Sequence, residues 1–359
     1  MDLLFQPFEF CGIQLKNRFV RSATMENLAS REKLPSEDLI QLYEELAHGH
    51  VGLIITSAVR PDRDWDPSAE SKNMCLDRDD QLPAFSRLVD RIHALESRVA
   101  LQLGSFYRYA GDFVLPSMLQ RDRSSKPLPR ALETAEVKRI IIRYAEAGER
   151  AWRAGFDAIQ INAAHGFPLS KFLSPLFNRR NDAYGGSPEN RARIILEIHD
   201  EIRSRTDGNY PVFIKMNVSD FCDGGMTLDD ALEIAKIFAQ NGISALEASG
   251  GTAHSSITQS GPSDPSEWQE GYFLDYAAAI KSAVDIPIIL VGGLRNLSMM
   301  AEIIDAGKVD LVAMSRPFIK EPHIVKRWMD GDRAPAYCDS CDGCLEVFIS
   351  REPLRCVTE

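Results

Sequence analysis

Short apolar runs recur along the chain, with room between successive runs for an amphipathic helix. They are Arg18 to Arg21, Gly52 to Ser57, Ser97 to Leu103, Ala158 to Ile161, Val212 to Met216, Ala245 to Ala248, Ile286 to Val291 and Leu311 to Met314. Continuous apolar runs of this length read as strands buried on both faces, which is how a parallel sheet covered by helices looks in sequence. Between them, Glu136 to Ala154 and Thr227 to Asn241 carry apolar residues at helical spacing, and Thr227 is placed to cap its helix. Eight strand and helix units in roughly 300 residues predict a (β/α)8 TIM barrel; a doubly wound sheet is the alternative the pattern leaves open.

Three segments that follow strands are rich in turn residues and long for plain connections: Arg60 to Lys72, Arg108 to Pro129 and Ser249 to Gly271. They are expected to be active-site loops. The strand beginning at Ala158 runs into the polar pair Asn162 and His165 and then a helix-sized segment, the way a barrel presents side chains at the carboxyl ends of its strands. This points to a catalytic pocket containing Asn162 and His165. The bland reading of His165 is that it braces its loop.

Composition narrows the class. With 359 residues, 44% apolar and 26% charged, the chain can bury a large core and fits one big α/β domain. A formal charge of -11 argues against a polyanion-binding surface, so nucleic acid is not an expected partner. The start, Met1 to Phe8, has neither the basic block nor the apolar block of a secretory leader, and no later stretch of about 20 apolar residues suits a bilayer. A cytoplasmic protein without membrane partners is expected.

Gly292-Gly293 follows the seventh apolar run, and Ser315-Arg316-Pro317 follows the eighth. Glycines let backbone N–H groups approach a phosphate, and an Arg adds a bidentate charged contact. Barrels frequently build a phosphate site after these two strands. A plain turn is the alternative for the glycine pair alone. Lys215 lies in the apolar run Val212 to Met216 and needs a partner there, either a cofactor, a neighbouring carboxylate or bulk water.

Four of the seven cysteines, Cys338, Cys341, Cys344 and Cys356, crowd the last 22 residues in a Cys-x2-Cys-x2-Cys-x11-Cys pattern. In a reducing compartment such spacing suits a [4Fe-4S] cluster or a tetrahedral zinc ion better than disulfides, and an empty or redox-active thiol group is the remaining alternative. The expected organisation is a barrel over residues 1–335 and a metal-binding tail over 336–359 packed on it.

From Asn17 to Met25, through Gly155 to Arg193 with its Asn162, His165 and Phe172-Leu-Ser-Pro175 segment, to Ser315-Arg316-Pro317, the chain closely resembles the old yellow enzyme family of flavin-dependent ene-reductases. The resemblance implies FMN as cofactor, held by Ala23, Thr24 and Met25 after the first strand, Ala58 after the second, Gln102 and Lys215 at the ring's pyrimidine edge, and Gly292, Gly293, Ser315 and Arg316 at its phosphate. It implies that Asn162 and His165 hydrogen-bond the carbonyl of an α,β-unsaturated small-molecule substrate. NAD(P)H is the implied reductant, entering the same pocket, and members are often oligomeric.

Four positions depart from the family, the first being Asn162, which stands where the family's pair begins with His. Phe167 stands where most members have the Tyr that protonates the substrate, leaving Tyr107, Tyr109, Tyr272 or water as candidates. Ser105 replaces a His, and Met25 replaces a Thr or Cys that tunes the flavin. The tail is similar to the cluster motif of the subgroup with 2,4-dienoyl-CoA reductase and trimethylamine dehydrogenase, whose members continue into nucleotide-binding domains. An external electron carrier or partner subunit is therefore implied, and two further readings stay open: a dehydrogenase or demethylase sending electrons out through the tail, and a non-catalytic flavin or metal-binding subunit.

Overall fold

A computed structural model describes residues 2–63, 72–104, 108–109, 112–117, 130–252 and 255–358. Eight strands, β1 (Phe19–Arg21), β2 (Leu53–Ile55), β3 (Arg98–Leu103), β4 (Ala158–Ala163), β5 (Val212–Asn217), β6 (Leu246–Ser249), β7 (Ile288–Val291) and β8 (Leu311–Met314), close into one barrel in chain order. Each pairs in parallel with the next, and β8 returns to β1 through Val312 opposite Phe19. The eight expected strands are all present, and the (β/α)8 barrel, not a doubly wound sheet, is the fold. Strand β5 runs beyond Lys215 to Asn217.

The barrel floor is closed by a hairpin, Phe8–Phe10 with Ile13–Leu15. Its two-residue turn puts Cys11 and Gly12 at positive φ, the geometry that matches strand twist in tight hairpins. Phe10, Ile13 and Leu15 pack with residues from seven of the barrel strands, among them Val20, Leu53, Ala100, Ala158, Phe213, Ile289 and Leu311, and with Ala245 just before β6. Because side chains alternate along a strand, the next inward positions up the barrel are two residues on. On β3 to β6 those positions are Gln102, Gln160, Lys215 and Glu247, so the filling changes from apolar to polar towards the carboxyl ends of the strands.

The outward faces pack against the helices in a second apolar cluster, which includes Leu101, Ile159, Ile161, Ile214 and Leu246. The helix Leu228–Gln240 has Thr227 as its N-cap, in a capping box with Asp230, as its sequence suggests. The helix Thr134–Arg153 begins two residues before its expected start. Two of the three long connections carry short strands among their described residues: Arg108–Tyr109, Asp112–Leu115 and Arg130–Ala131 form a small sheet, and Ile257–Thr258 pairs with Gly261–Pro262, whereas most of the connection from Arg60 to Lys72 lies outside the described residues. Among the described residues no helix is long and apolar enough to cross a membrane.

The tail folds back over the carboxyl end of the barrel and carries a short helix, Gly343–Ile349. Asn27 Nδ2 donates to the carbonyls of Phe348 (3.0 Å) and Glu352 (3.2 Å), and Leu354 N donates to the Glu26 carbonyl (2.9 Å). Glu26 is itself held by the guanidinium of Arg21 and by the Tyr43 hydroxyl.

Candidate active site

One cavity opens at the carboxyl end of the barrel. All twelve barrel residues singled out in the sequence line it: Ala23, Thr24, Met25, Ala58, Gln102, Asn162, His165, Lys215, Gly292, Gly293, Ser315 and Arg316. Phe167 and Tyr272 line it too, and so do Asp342 and Cys344 of the tail. Tyr107 and Ser105 lie outside the described residues, as does the side chain of Tyr109.

Asn162 is 6% exposed at the end of β4. Its Oδ1 accepts from the N–H of Ala164 (3.2 Å), which leaves the amide NH2 as its outward group. Gly104 makes room for it, since a Cβ at 104 would come within 2.9 Å of the Asn162 Cβ. His165 adopts a left-handed backbone at φ 61°, and its N–H is held by Asn217 Oδ1 (2.8 Å). Its Nε2 lies 2.7 Å from the Ser249 hydroxyl at the end of β6. Burial, and then the positive charge of Lys215, push the imidazole pKa well below its ordinary value of 6.5, so the ring is neutral at physiological pH. The bracing role and the cavity-lining role coexist: the backbone and Nε2 brace, leaving Nδ1.

Lys215 finds the carboxylate that its sequence context calls for. Its Nζ is 3.0 Å from Glu247 Oε1 and donates to the Ser22 hydroxyl at 2.8 Å. Glu247 is fully buried and also accepts from Gln160 Nε2 (2.6 Å), whose Oε1 accepts from Gln102 Nε2 (2.6 Å). Gln160, Asn217, Glu247 and Ser249 were not singled out in the sequence. The signal was available in the alternation: Gln160 with Asn162, and Glu247 with Ser249, put two polar residues on one face of an otherwise apolar strand.

At the β7 and β8 ends, Gly292 and Gly293 have φ of 129° and 69°, conformations that favour glycine. A Cβ on Gly292 would lie 2.8 Å from the Tyr272 ring, and the ring packs flat enough on the pair that Gly293 would meet it at 3.0 Å. The Tyr272 hydroxyl donates to the Gln259 carbonyl (3.3 Å). Thr24 and Ser315 join the ends of β1 and β8 through their hydroxyls (2.7 Å). Arg316 spans from the barrel to the tail, with Nη1 on Asp342 Oδ1 (2.5 Å) and Nη2 donating to the Ser260 carbonyl (2.9 Å). On the same side, Arg295 Nε is buried without a hydrogen-bond partner among the described residues, its guanidinium stacked 4.1 Å from the Trp268 ring.

The four tail cysteines are free thiols; Cys341 is exposed and the other three are half-buried. Cys344 reaches the cavity wall, whereas Cys356 Sγ lies 3.2 Å from the Thr358 hydroxyl. Among the described residues no three Cys, His, Asp or Glu side chains are gathered as metal ligands. The donor chemistry suits a thiophilic metal, but the expected four-thiol arrangement is not formed in this structure.

The sequence profile of the NADH:flavin oxidoreductase / NADH oxidase family matches residues 3–333. A NADPH dehydrogenase of Bacillus subtilis (strain 168) is 33% identical over 90% of this chain and 93% of its own length. A NADH oxidase of Thermoanaerobacter brockii is 32% identical over 98% of this chain, which spans 55% of that relative. The structure of a 2-naphthoyl-CoA reductase in complex with 2-naphthoyl-CoA superposes with a TM-score of 0.90 at 23% identity, covering 99% of this chain and 56% of that one, and so shares the fold. With a profile match over nearly the whole barrel, the chain belongs to the NADH:flavin oxidoreductase / NADH oxidase family, the old yellow enzyme homologues that its sequence resembles.

Proposed function

We propose that the chain binds FMN in this cavity and reduces an activated C=C bond, of an enone or enoyl thioester, at the expense of NADH or NADPH. The observation that carries the reading is the convergence of twelve residues, from the ends of seven of the eight strands, on one cavity. The cavity suits the cofactor on its own evidence. The glycine pair puts no side chain into the cavity wall, where it packs against the Tyr272 ring, and a buried guanidinium N–H of Arg295 on that wall has no acceptor among the described residues. Gly292, Gly293, Ser315 and Arg316 would hold the phosphate, and Gln102 and Lys215 the ring edge. When bound, FMN supplies the hydride.

The protein's part is to polarise and orient the substrate. Asn162 offers amide N–H donors, and neutral His165 offers one N–H at Nδ1 when Ser249 donates to Nε2. Two donors on one carbonyl oxygen draw charge from the β-carbon. Phe167 has no proton to give and the Tyr272 hydroxyl is turned to Gln259, so the proton source is water or one of Tyr107 and Tyr109, whose side chains lie outside the described residues.

Cys338, Cys341, Cys344 and Cys356 would hold a [4Fe-4S] cluster, with zinc as the alternative, and an external electron carrier would be its partner. No step of the substrate chemistry above depends on it.

A UV-visible spectrum of protein purified without oxygen tests the reading. Flavin bands that bleach with NADH or NADPH and return on adding 2-cyclohexenone are expected; protein that neither contains nor takes up FMN would remove it. Iron, sulfide and zinc content of the same sample decides the tail, with about four irons per chain expected for a cluster. A smaller variant checks the geometry. Gly104→Ala forces Asn162 out of place, and enone turnover is expected to fall about tenfold with FMN retained, the order of one well-placed hydrogen bond.

A further inference from the structure

Gln102, Gln160 and Glu247 form a directed chain of hydrogen bonds across four neighbouring strands, and the chemistry of its last member dictates the orientation of its first. Glu247, paired with Lys215, is an acceptor only. The group Gln160 turns to it at 2.6 Å must therefore be its NH2, and the oxygen of Gln160 must face the other way. That oxygen accepts from Gln102 at 2.6 Å, so the NH2 of Gln102 faces Gln160 and its own Oε1 is left for the cavity. An amide can be turned over at little cost in open surroundings, but here reversal of either one would set oxygen against oxygen or NH2 against NH2. All three residues are at most 3% exposed, so water does not relieve the mismatch.

The other oxygen of Glu247 is bound as firmly. Oε1 accepts from Lys215 Nζ (3.0 Å) and from the Ser22 hydroxyl (2.5 Å), and Lys215 also bonds that hydroxyl. The register of the barrel brings the members together, with Gln102 opposite Gln160 and Lys215 opposite Glu247.

We propose that Glu247 and Gln160 are positioning residues that fix Gln102 with its carbonyl oxygen towards the cavity, so that the site takes a flavin ring edge carrying an N–H donor at that point. The same carboxylate sets the place of Lys215. One anion thereby arranges an acceptor on β3 and a cation on β5, both lining the cavity, without touching the ligand. The inference rests on the FMN reading above and names the residues that orient that site.

The test is a double-variant cycle on FMN affinity, measured by flavin fluorescence quenching with protein stripped of cofactor. In the wild-type background Gln102→Ala is expected to weaken FMN binding about tenfold. In a Gln160→Met background, which breaks the chain at its middle and spares the Lys215–Glu247 pair, the same change is expected to cost less than about threefold, because Gln102 is no longer held in one orientation. Equal losses in both backgrounds overturn the proposal, since a residue that merely supports the fold would leave the two effects additive. A second readout needs no flavin. The side-chain NH2 protons of Gln102 are expected to exchange slowly with solvent in the flavin-free protein and to lose that protection in Gln160→Met and in Glu247→Gln. Rapid exchange in the wild type would sink the relay even if FMN binds, whereas wild-type protein that fails to bind FMN but shows slow exchange would refute the flavin reading and leave the relay standing.

Discussion

His165→Ala is expected to lower kcat/KM for an α,β-unsaturated ketone about 10²- to 10³-fold, the loss found when one preorganised donor to a developing oxyanion is removed. The rate at which NADH or NADPH bleaches the bound flavin should change far less, because that half of the cycle does not use the substrate carbonyl. Measuring the two half-reactions separately in a stopped-flow instrument makes the distinction. His165→Asn retains an N–H donor on a shorter side chain and should recover part of the loss. A drop of less than about fivefold in His165→Ala would return the residue to a bracing role, with its backbone N–H on Asn217 as its main contribution. The pH profile gives an independent check. Burial and the Lys215 charge hold the imidazole pKa well below 6.5, so the ring is already neutral across the physiological range. Activity should then show no His165 titration between about pH 6.5 and 8, and an acid limb would enter only well below that window.

Lys215→Met is expected to be the most damaging single change to the barrel. Lys215 and Glu247 are 5% and 0% exposed, so removing the cation leaves a carboxylate in the barrel interior without its countercharge. Breaking one side of a buried pair costs about 3–5 kcal/mol. Glu247 keeps two neutral donors, Ser22 and Gln160, which places the expected loss towards the lower end. FMN retention should fall as well if, as proposed, Lys215 is the cation at the ring edge. The double variant Lys215→Met/Glu247→Gln removes both charges and should regain most of the stability but not the flavin affinity. Denaturant midpoints and FMN titrations of the three proteins check both halves. If the double variant is no more stable than Lys215→Met, the pair is not the source of the loss.

The sequence carried the barrel because its strands are buried on both faces. A run such as Val212 to Met216 can satisfy its side chains only between a packed interior and a helical layer, and eight such runs have few ways to close. It also carried the rim of the site. Asn162, His165, Gly292, Gly293, Ser315 and Arg316 lie at or just past strand ends, where a polar residue or a glycine interrupts an apolar run and is visible locally.

The polar layer beneath that rim was not visible in the same way. Gln160 and Glu247 each sit two residues before a second polar residue of the same strand, and the groups that satisfy them are 87 and 32 positions away along the chain, with Ser22 225 positions from Glu247. Nothing near them in sequence says what they meet. The alternation of strand residues puts them inside, but only closure of the barrel decides that Glu247 faces Lys215, Ser22 and Gln160 together. The same holds for Arg316, which the sequence offers as a phosphate contact and whose side chain ties the barrel to Asp342 of the tail. Local pattern determined which strands and rim residues this protein has, since burial and backbone conformation act over a few residues. Tertiary structure alone decided how the buried charges and amides are paired and oriented, since hydrogen bonds and ion pairs need partners within a few ångströms in space, whatever their separation along the chain.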